Sequence, residues 1–205
     1  MRRTLAIGDI HGMIEKLEEL LEKIRITKDD TIILLGDYID RGARSRSVIE
    51  KIMELQASGY DLVPLKGNHE EMLLKALAHR NSFEEAFWLE NGGRATLASY
   101  GMGIPKKHID FIKNLPLYHE TASHFFVHAG VLPGFPPSES DEEVMLWIRG
   151  EFVHSSYDWG KKIVFGHTPF AAPALSHNKI GIDTGCVYGG KLTCLILPEE
   201  TFISV

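Results

Sequence analysis

Five times along this 205-residue chain a short apolar run stops at a glycine or small residue set beside Asp, Asn or His. The stops read Gly8-Asp9-Ile10-His11-Gly12, Gly36-Asp37-Tyr38-Ile39-Asp40-Arg41-Gly42, Gly67-Asn68-His69-Glu70, Val127-His128-Ala129-Gly130 and Gly166-His167-Thr168. In an open α/β sheet, ligands bind in the crevice beyond the carboxyl ends of the strands, where loops from several strands converge. Glycine at those ends permits tight turns and close approach of backbone to a ligand. One Gly-Asp pair carries no information, but five matched strand ends predict a single polar pocket.

Between the stops, apolar runs alternate with segments of helical period, the pattern of strands covered by helices. Thr4 to Ile7 reads as a strand, and Ile14, Leu17, Leu20, Leu21 and Ile24, spaced three or four apart, as the apolar face of a helix. Thr31 to Leu35, followed by a helix carrying Val48, Ile49, Ile52, Met53 and Leu55, repeats the unit. A third strand, Asp61 to Leu65, leads to a helix over Glu70 to His79. A cap segment over Ser82 to Tyr100 follows, helical but broken at Gly92 and Gly93. Asn91-Gly92-Gly93-Arg94 reads as a helix break with a C-cap, in preference to a phosphate-binding turn.

From Leu117 the pattern turns to strands, over Leu117 to Thr121, Phe125 to His128, Ile163 to Phe165, Lys179 to Ile182, Lys191 to Leu197 and Thr201 to Val205. These are expected to form a second sheet packed on the first. Leu132 to Asp141, rich in proline and glycine, is a loop within the domain because strand patterning resumes on both sides. Residues 1–205 are therefore expected to make a single domain of the α/β class.

Charge narrows the partners. Lys plus Arg number 22 against 28 Asp plus Glu, a net charge of -6, so no global positive field exists for nucleic acid or an anionic membrane. Any anion site must be local. Cys186 and Cys194 lie outside any zinc-type or Cys-x-x-Cys spacing and read as buried thiols in a reducing compartment. The apolar stretch after Arg2 and Arg3 breaks at Gly8 and Asp9, too short for a signal-peptide core or a membrane span, and the expectation is a cytoplasmic protein. Asp, Asn and His without cysteine form an oxygen and nitrogen donor set, suited to manganese, iron or zinc more than to calcium.

The motifs GDIHG, GDYIDRG and GNHE, in this order, resemble those of the metal-dependent phosphoprotein phosphatases among the calcineurin-like metallophosphoesterases. The resemblance is greatest to the small bacterial and phage serine/threonine phosphatases of the lambda-phosphatase type, and it runs from Thr4 to about Leu197. It implies an α+β sandwich of two mixed sheets flanked by helices, and two divalent metal ions, Mn2+ first, with Fe or Zn as alternatives. Asp9 and His11 would hold one metal, Asn68, His128 and His167 the other, and Asp37 would bridge them. Two such ions bring about +4 and two aspartates return about -2, so a net positive pocket can exist in an acidic protein. The implied reaction is attack on phosphorus by a metal-bridging hydroxide.

By the same resemblance His69 is the general acid and Asp40 its partner, a carboxylate expected to keep the imidazole protonated. Arg41 and Arg149 match positions that grip phosphoryl oxygens, and Tyr188 one near the substrate. His79, His108, His119, His124, His154 and His177 lie outside the motifs and read as structural, and Lys106-Lys107 and Lys161-Lys162 as solvated faces.

Proline follows Gly166-His167-Thr168, where diesterases of the family carry a further histidine, which argues for the phosphatase branch. The expected activity is therefore a phosphomonoesterase acting on phosphoserine and phosphothreonine in proteins, or on a phosphorylated small molecule. No required protein partner is evident. The alternative is a dinucleoside polyphosphate (diadenosine tetraphosphate) hydrolase, although the symmetrical enzymes of that kind usually lack the second aspartate of GDxxDRG, here Asp40. A non-catalytic metal-binding module would have no use for His69 and Asp40.

Overall fold

Successive side chains of the central strands are buried on both faces, which is why these segments read as unbroken apolar runs. The computed structural model describes residues 2–205, so Met1 of the expected domain lies outside them. β1 (Thr4–Ile7) turns Leu5 and Ile7 toward helices and Ala6 toward a second sheet, while β2 (Thr31–Leu34) divides Ile32 and Leu34 from Ile33 in the same way. Burying one such side chain contributes about 1.5–3 kcal/mol. A charge at Ile33, fully enclosed between the sheets, would prise the layers apart.

The first sheet runs β11 (Thr201–Ser204), β10 (Lys191–Leu197), β1, β2, β3 (Asp61–Pro64), with β9 (Asp183–Thr184) against β10. The second runs β4 (Tyr118–Glu120), β5 (His124–Val127), β6 (Lys162–Phe165), β8 (Lys179–Gly181), β7 (Ala174–Leu175). Both are mixed: β1, β2 and β3 are parallel, as are β5, β6 and β8, and β10 is antiparallel to β1. Ala6, Ile33 and Leu65 meet Phe126, Val164 and Ile180 between the layers.

The outer face of the first sheet is covered by α1 (Ile14–Ile24), α2 (Ser45–Ala57) and α3 (Asn68–Ala78). That of the second carries α7 (Glu142–Trp147) and α8 (Gly150–Val153), whose Met145 and Phe152 pack with Phe125, Val127 and Phe165. The segment between sheets supplies α4 (Phe83–Trp88), α5 (Arg94–Tyr100) and α6 (Lys106–Lys113).

One expectation changes. The last two strands join the first sheet, with Thr4 opposite Leu197 and Ile7 opposite Cys194, because β1 has a free edge on the side away from β2. A two-residue period reports burial of alternate faces, not the pairing partner. The expected break at Gly92 is present: α4 and α5 meet across a kink in Leu89–Gly93, where Gly92 leaves helical geometry and its carbonyl accepts the Arg41 N–H at 3.2 Å. Gly92 holds φ 109°, and a Cβ there would stand 2.7 Å from the Arg41 nitrogen.

Candidate active site

The three N-terminal motifs leave the carboxyl ends of β1, β2 and β3, which are parallel and so end on one side; His128 and His167 follow β5 and β6. Non-glycine residues with positive φ concentrate here: His11 (45°), Asp37 (53°), Asp40 (69°), Arg41 (66°) and His167 (61°). Only Arg25, Asn81 and Glu200 share that conformation elsewhere among the described residues. Such backbone costs about 1–3 kcal/mol per residue and persists only where the surroundings over-determine it.

Glu70 is the determinant. Fully buried, its carboxylate accepts N–H bonds from Asp37 (2.9 Å), Tyr38 (2.9 Å) and Gly67 (3.0 Å), tying the loop of the second motif to the third. Burial pushes its carboxyl up to about 7, against the pull of those N–H groups. The Tyr38 hydroxyl adds a bond to the Leu65 carbonyl at 2.6 Å. Gly67 lacks a Cβ where one would collide with Asp37 Oδ1.

Donors and acceptors in the crevice are mismatched in a way that calls for cations. His11 Nδ1 donates to the Ile39 carbonyl and His128 Nδ1 to the Leu35 carbonyl, each at 2.8 Å. Burial pushes both imidazoles well down, His128 to about 3, so their Nε2 atoms carry lone pairs. The His128 lone pair faces other acceptors, 3.4 Å from Asp37 Oδ1 and 2.8 Å from Asn68 Oδ1, while His11 Nε2 accepts from Arg41 Nη1 and lies 3.4 Å from Asp37 Oδ2. His167 Nδ1 approaches the same Asn68 oxygen at 3.0 Å. Carbonyl acceptors behind the ring, with the other nitrogen aimed inward, are the arrangement that orients metal-ligating histidines.

Two groupings with ligand atoms all within 4.8 Å result, His11–Asp37–His69 and Asp37–His128–His167, and Asp37 presents one oxygen to each. Asp9 stands beside them, both oxygens 3.1 Å from the His167 N–H. Burial pushes the Asp9 and Asp37 carboxyls well above their ordinary range, aided at Asp9 by Asp183 and at Asp37 by Glu70. A divalent cation would restore both to their charged form.

Asp40 is wholly enclosed and accepts from His69 Nδ1 (2.7 Å), Trp88 Nε1 (2.9 Å) and Thr96 Oγ1 (2.6 Å). Three donors on one carboxyl fix it as an acceptor and leave His69 Nε2 turned to the crevice. Burial pushes Asp40 up to about 7, opposed by Thr96 and Trp88. Burial first, then Arg41, pushes the His69 imidazole below its ordinary value, opposite to the effect expected of Asp40.

Arg41 Nη1 lies 2.6 Å from His11 Nε2, and its guanidinium sits over the Tyr188 ring at 5.4 Å from the centroid. Arg149, between α7 and α8, is exposed, and its charge acts on His128, His167 and Asp183. All eleven site candidates thus border one crevice. Sequence reading gave no role to Glu70, Asp183, Trp88 or Thr96. Glu70 could have been noticed as the invitingly placed acid of GNHE; Trp88 and Thr96 carry no local signal, because only the cap's packing brings them to Asp40. His108, read as structural, is buried and bonded to the Tyr100 hydroxyl at 2.9 Å.

A two-sheet sandwich whose strand ends gather oxygen and nitrogen ligands around a shared aspartate defines a metal-dependent phosphoester hydrolase. The calcineurin-like phosphoesterase model matches residues 2–195, and the chain belongs to that family, which uses a dinuclear metal centre. The chain is 32% identical, over 97% of its length and 90% of the relative's, to an asymmetrical bis(5'-nucleosyl)-tetraphosphatase, PrpE, of Oceanobacillus iheyensis, and 29% identical to that of Bacillus mycoides. A crystal structure provisionally assigned as a diadenosine tetraphosphatase superposes with TM-score 0.78 at 25% identity, covering all of this chain and 93% of that one. A serine/threonine phosphatase of Saccharomyces cerevisiae, at TM-score 0.62 and 16% identity over 79% of its chain, shares the fold alone. Among the described residues no helix is long and apolar enough to cross a membrane.

Proposed function

We propose that this protein hydrolyses dinucleoside tetraphosphates asymmetrically, water adding across one P–O–P bond to release a nucleoside monophosphate and a nucleoside triphosphate. The observation that carries this reading is near full-length similarity to the asymmetrical tetraphosphatases. It takes precedence over the protein serine/threonine phosphatase expected from the motifs, whose structural relatives are 16% identical. Asp40, the second aspartate of GDYIDRG, accords with the asymmetrical class. Residues 1–205 are read as one domain in a cytoplasmic setting, in keeping with two free, buried cysteines.

Asp9, His11, Asp37, Asn68, His128 and His167 would hold two divalent metals, Mn2+ in the first instance. When bound, such a pair supplies activation of a water nucleophile and stabilisation of charge developing on the phosphoryl group. The chain's own residues do the rest. Glu70 fixes the loop that aims Asp37. Arg149 and Arg41 bind phosphoryl oxygens, Arg41 by swinging from His11 while its flat face stays against Tyr188. Asp40 holds the ring by Nδ1, and His69, once it has taken up a second proton at Nε2, passes that proton toward the leaving oxygen. The test is a comparison of manganese-loaded enzyme on diadenosine tetraphosphate and on a phosphoserine peptide, with products separated by chromatography. Higher kcat/KM on the nucleotide, giving AMP and ATP, is expected; a preference for the phosphopeptide, or ADP as sole product, overturns the reading.

A further inference from the structure

Next to the crevice lies a cleft of about 730 Å³ that the residue roles above leave without a use. α3, α4 and α7 enclose it. Its apolar wall is Met72, Phe83, Phe87, Leu146 and Trp147. Phe83 is 77% exposed and stacks on Phe87, itself 38% exposed, with ring centroids 5.8 Å apart and planes 22° from parallel. The Phe87 ring in turn lies 6.3 Å from Trp147, and Trp147 meets the His167 ring edge-on at 6.2 Å. An aromatic row therefore runs from solvent to a proposed metal-ligating histidine.

An aromatic row left open to water at this cost in exposed apolar surface has the character of a binding site. The rim decides what the occupant is. Glu84, Glu142 and Glu143 line it, with Lys75 and His79 on the α3 side. Phosphate oxygens are repelled by those carboxylates, while exocyclic amino and ring N–H groups are donors that carboxylates accept. A flat, uncharged heteroaromatic ring carrying N–H donors matches both wall and rim. The phosphate joined to it would lie on the inner side, toward His167 and Arg149.

We infer that this cleft binds the purine base of the nucleoside attached to the phosphorus under attack, stacked on Phe83 and Phe87. The inference deepens the tetraphosphatase reading and rests on it for the identity of the substrate. It makes the aromatic row the element that separates nucleotides from phosphopeptides.

Titration of manganese-loaded protein with AMP and with inorganic phosphate, followed by calorimetry, tests it without any hydrolysis. AMP is expected to bind at least about tenfold more tightly than phosphate, and the surplus to vanish in Phe83→Ala/Phe87→Ala, as stacking on an aromatic side chain supplies about that much per base. Phe83→Ala, at an exposed position, serves alone if the double variant melts early, and should lose part of the surplus. In steady state on diadenosine tetraphosphate, KM should rise about tenfold in the double variant with kcat within about twofold. Equal binding of AMP and phosphate by the unaltered protein, or a surplus that survives both substitutions, overturns the proposal. So does a phosphopeptide whose affinity falls on Phe83→Ala while that of AMP stays. If unaltered protein leaves diadenosine tetraphosphate intact yet AMP shows the surplus and loses it in the variants, the cleft assignment stands and the tetraphosphatase reading is what falls.

Discussion

In the crevice, Asp37, Asp40, His69 and Glu70 are almost entirely withdrawn from water, and each has partners fixed within about 3 Å; in the cleft next door, Phe83 and Phe87 are exposed and stack on each other, Phe87 reaching on to Trp147. The two regions share α3, which begins with Asn68 and His69 in one and turns Met72 and Lys75 into the other. The difference is one of what a lost group leaves behind. Removing a crevice side chain strands desolvated partners, whose cost is large in the low local dielectric. Removing a cleft side chain forfeits stacking and little else. Rate should therefore depend on the crevice and choice of substrate on the cleft.

The strongest test of that division is Asp37→Asn. Because Asp37 offers one oxygen to each ligand grouping, the change is expected to lower kcat/KM on the order of 10³-fold or more and to reduce manganese content measured by elemental analysis. Full metal loading with full activity would show that the aspartate is not shared. His69→Asn comes next: a loss of about 10² to 10⁴ on a phosphoserine peptide with metal content retained, and a distinctly smaller loss on diadenosine tetraphosphate. A departing phosphoanhydride oxygen needs less help from a proton donor than a serine alkoxide does. Equal losses on the two substrates would remove His69 from the leaving-group side.

Glu70→Gln separates scaffolding from chemistry. Replacing the charged acceptor of three N–H groups should cost about 2 kcal/mol, a fall of about 4–8 °C in Tm, with activity declining as the Asp37 loop relaxes. An unchanged melting curve would show the loop is held by other contacts. The smallest effect is expected far from both regions, at Asp30, which accepts from Arg3 at 2.7 and 2.8 Å and from the Thr27 N–H at 2.8 Å. Those bonds, Arg3 foremost, hold its carboxyl below the ordinary range. A depressed native pKa means stability present above the unfolded value, near 3.9, and lost as pH falls through the native one. Asp30→Asn should thus cost about 1 kcal/mol at neutral pH, converge with the parent in acid, and leave kcat/KM alone; a change in activity would show that the crevice is less insulated than its burial indicates.

Much of this site was legible because its residues belong to local strings. Gly8 to Gly12, Gly36 to Gly42 and Gly67 to Glu70 each hold backbone flexibility and donor atoms within a few residues, and burial on both strand faces marked where each string begins. Arg149 and Tyr188, set in weaker strings, also come to the crevice rim. The helix over Lys106 to Lys113 escaped notice because its apolar residues are few, and the short strands at Ala174 and Asp183 because two residues carry no period.

The amino-acid order alone determined the succession of strand, loop and helix, the oxygen and nitrogen character of the donors, and the absence of a general positive field, since each of these is a property of composition or near neighbours. Only the tertiary structure decided that β10 and β11 extend the first sheet, that Trp88 and Thr96 clasp Asp40 from 48 and 56 residues away, and that an aromatic row opens beside His167. Those are pairings between segments remote in the chain, selected by which buried surfaces and unmet hydrogen bonds find each other on folding, and no short-range pattern records them.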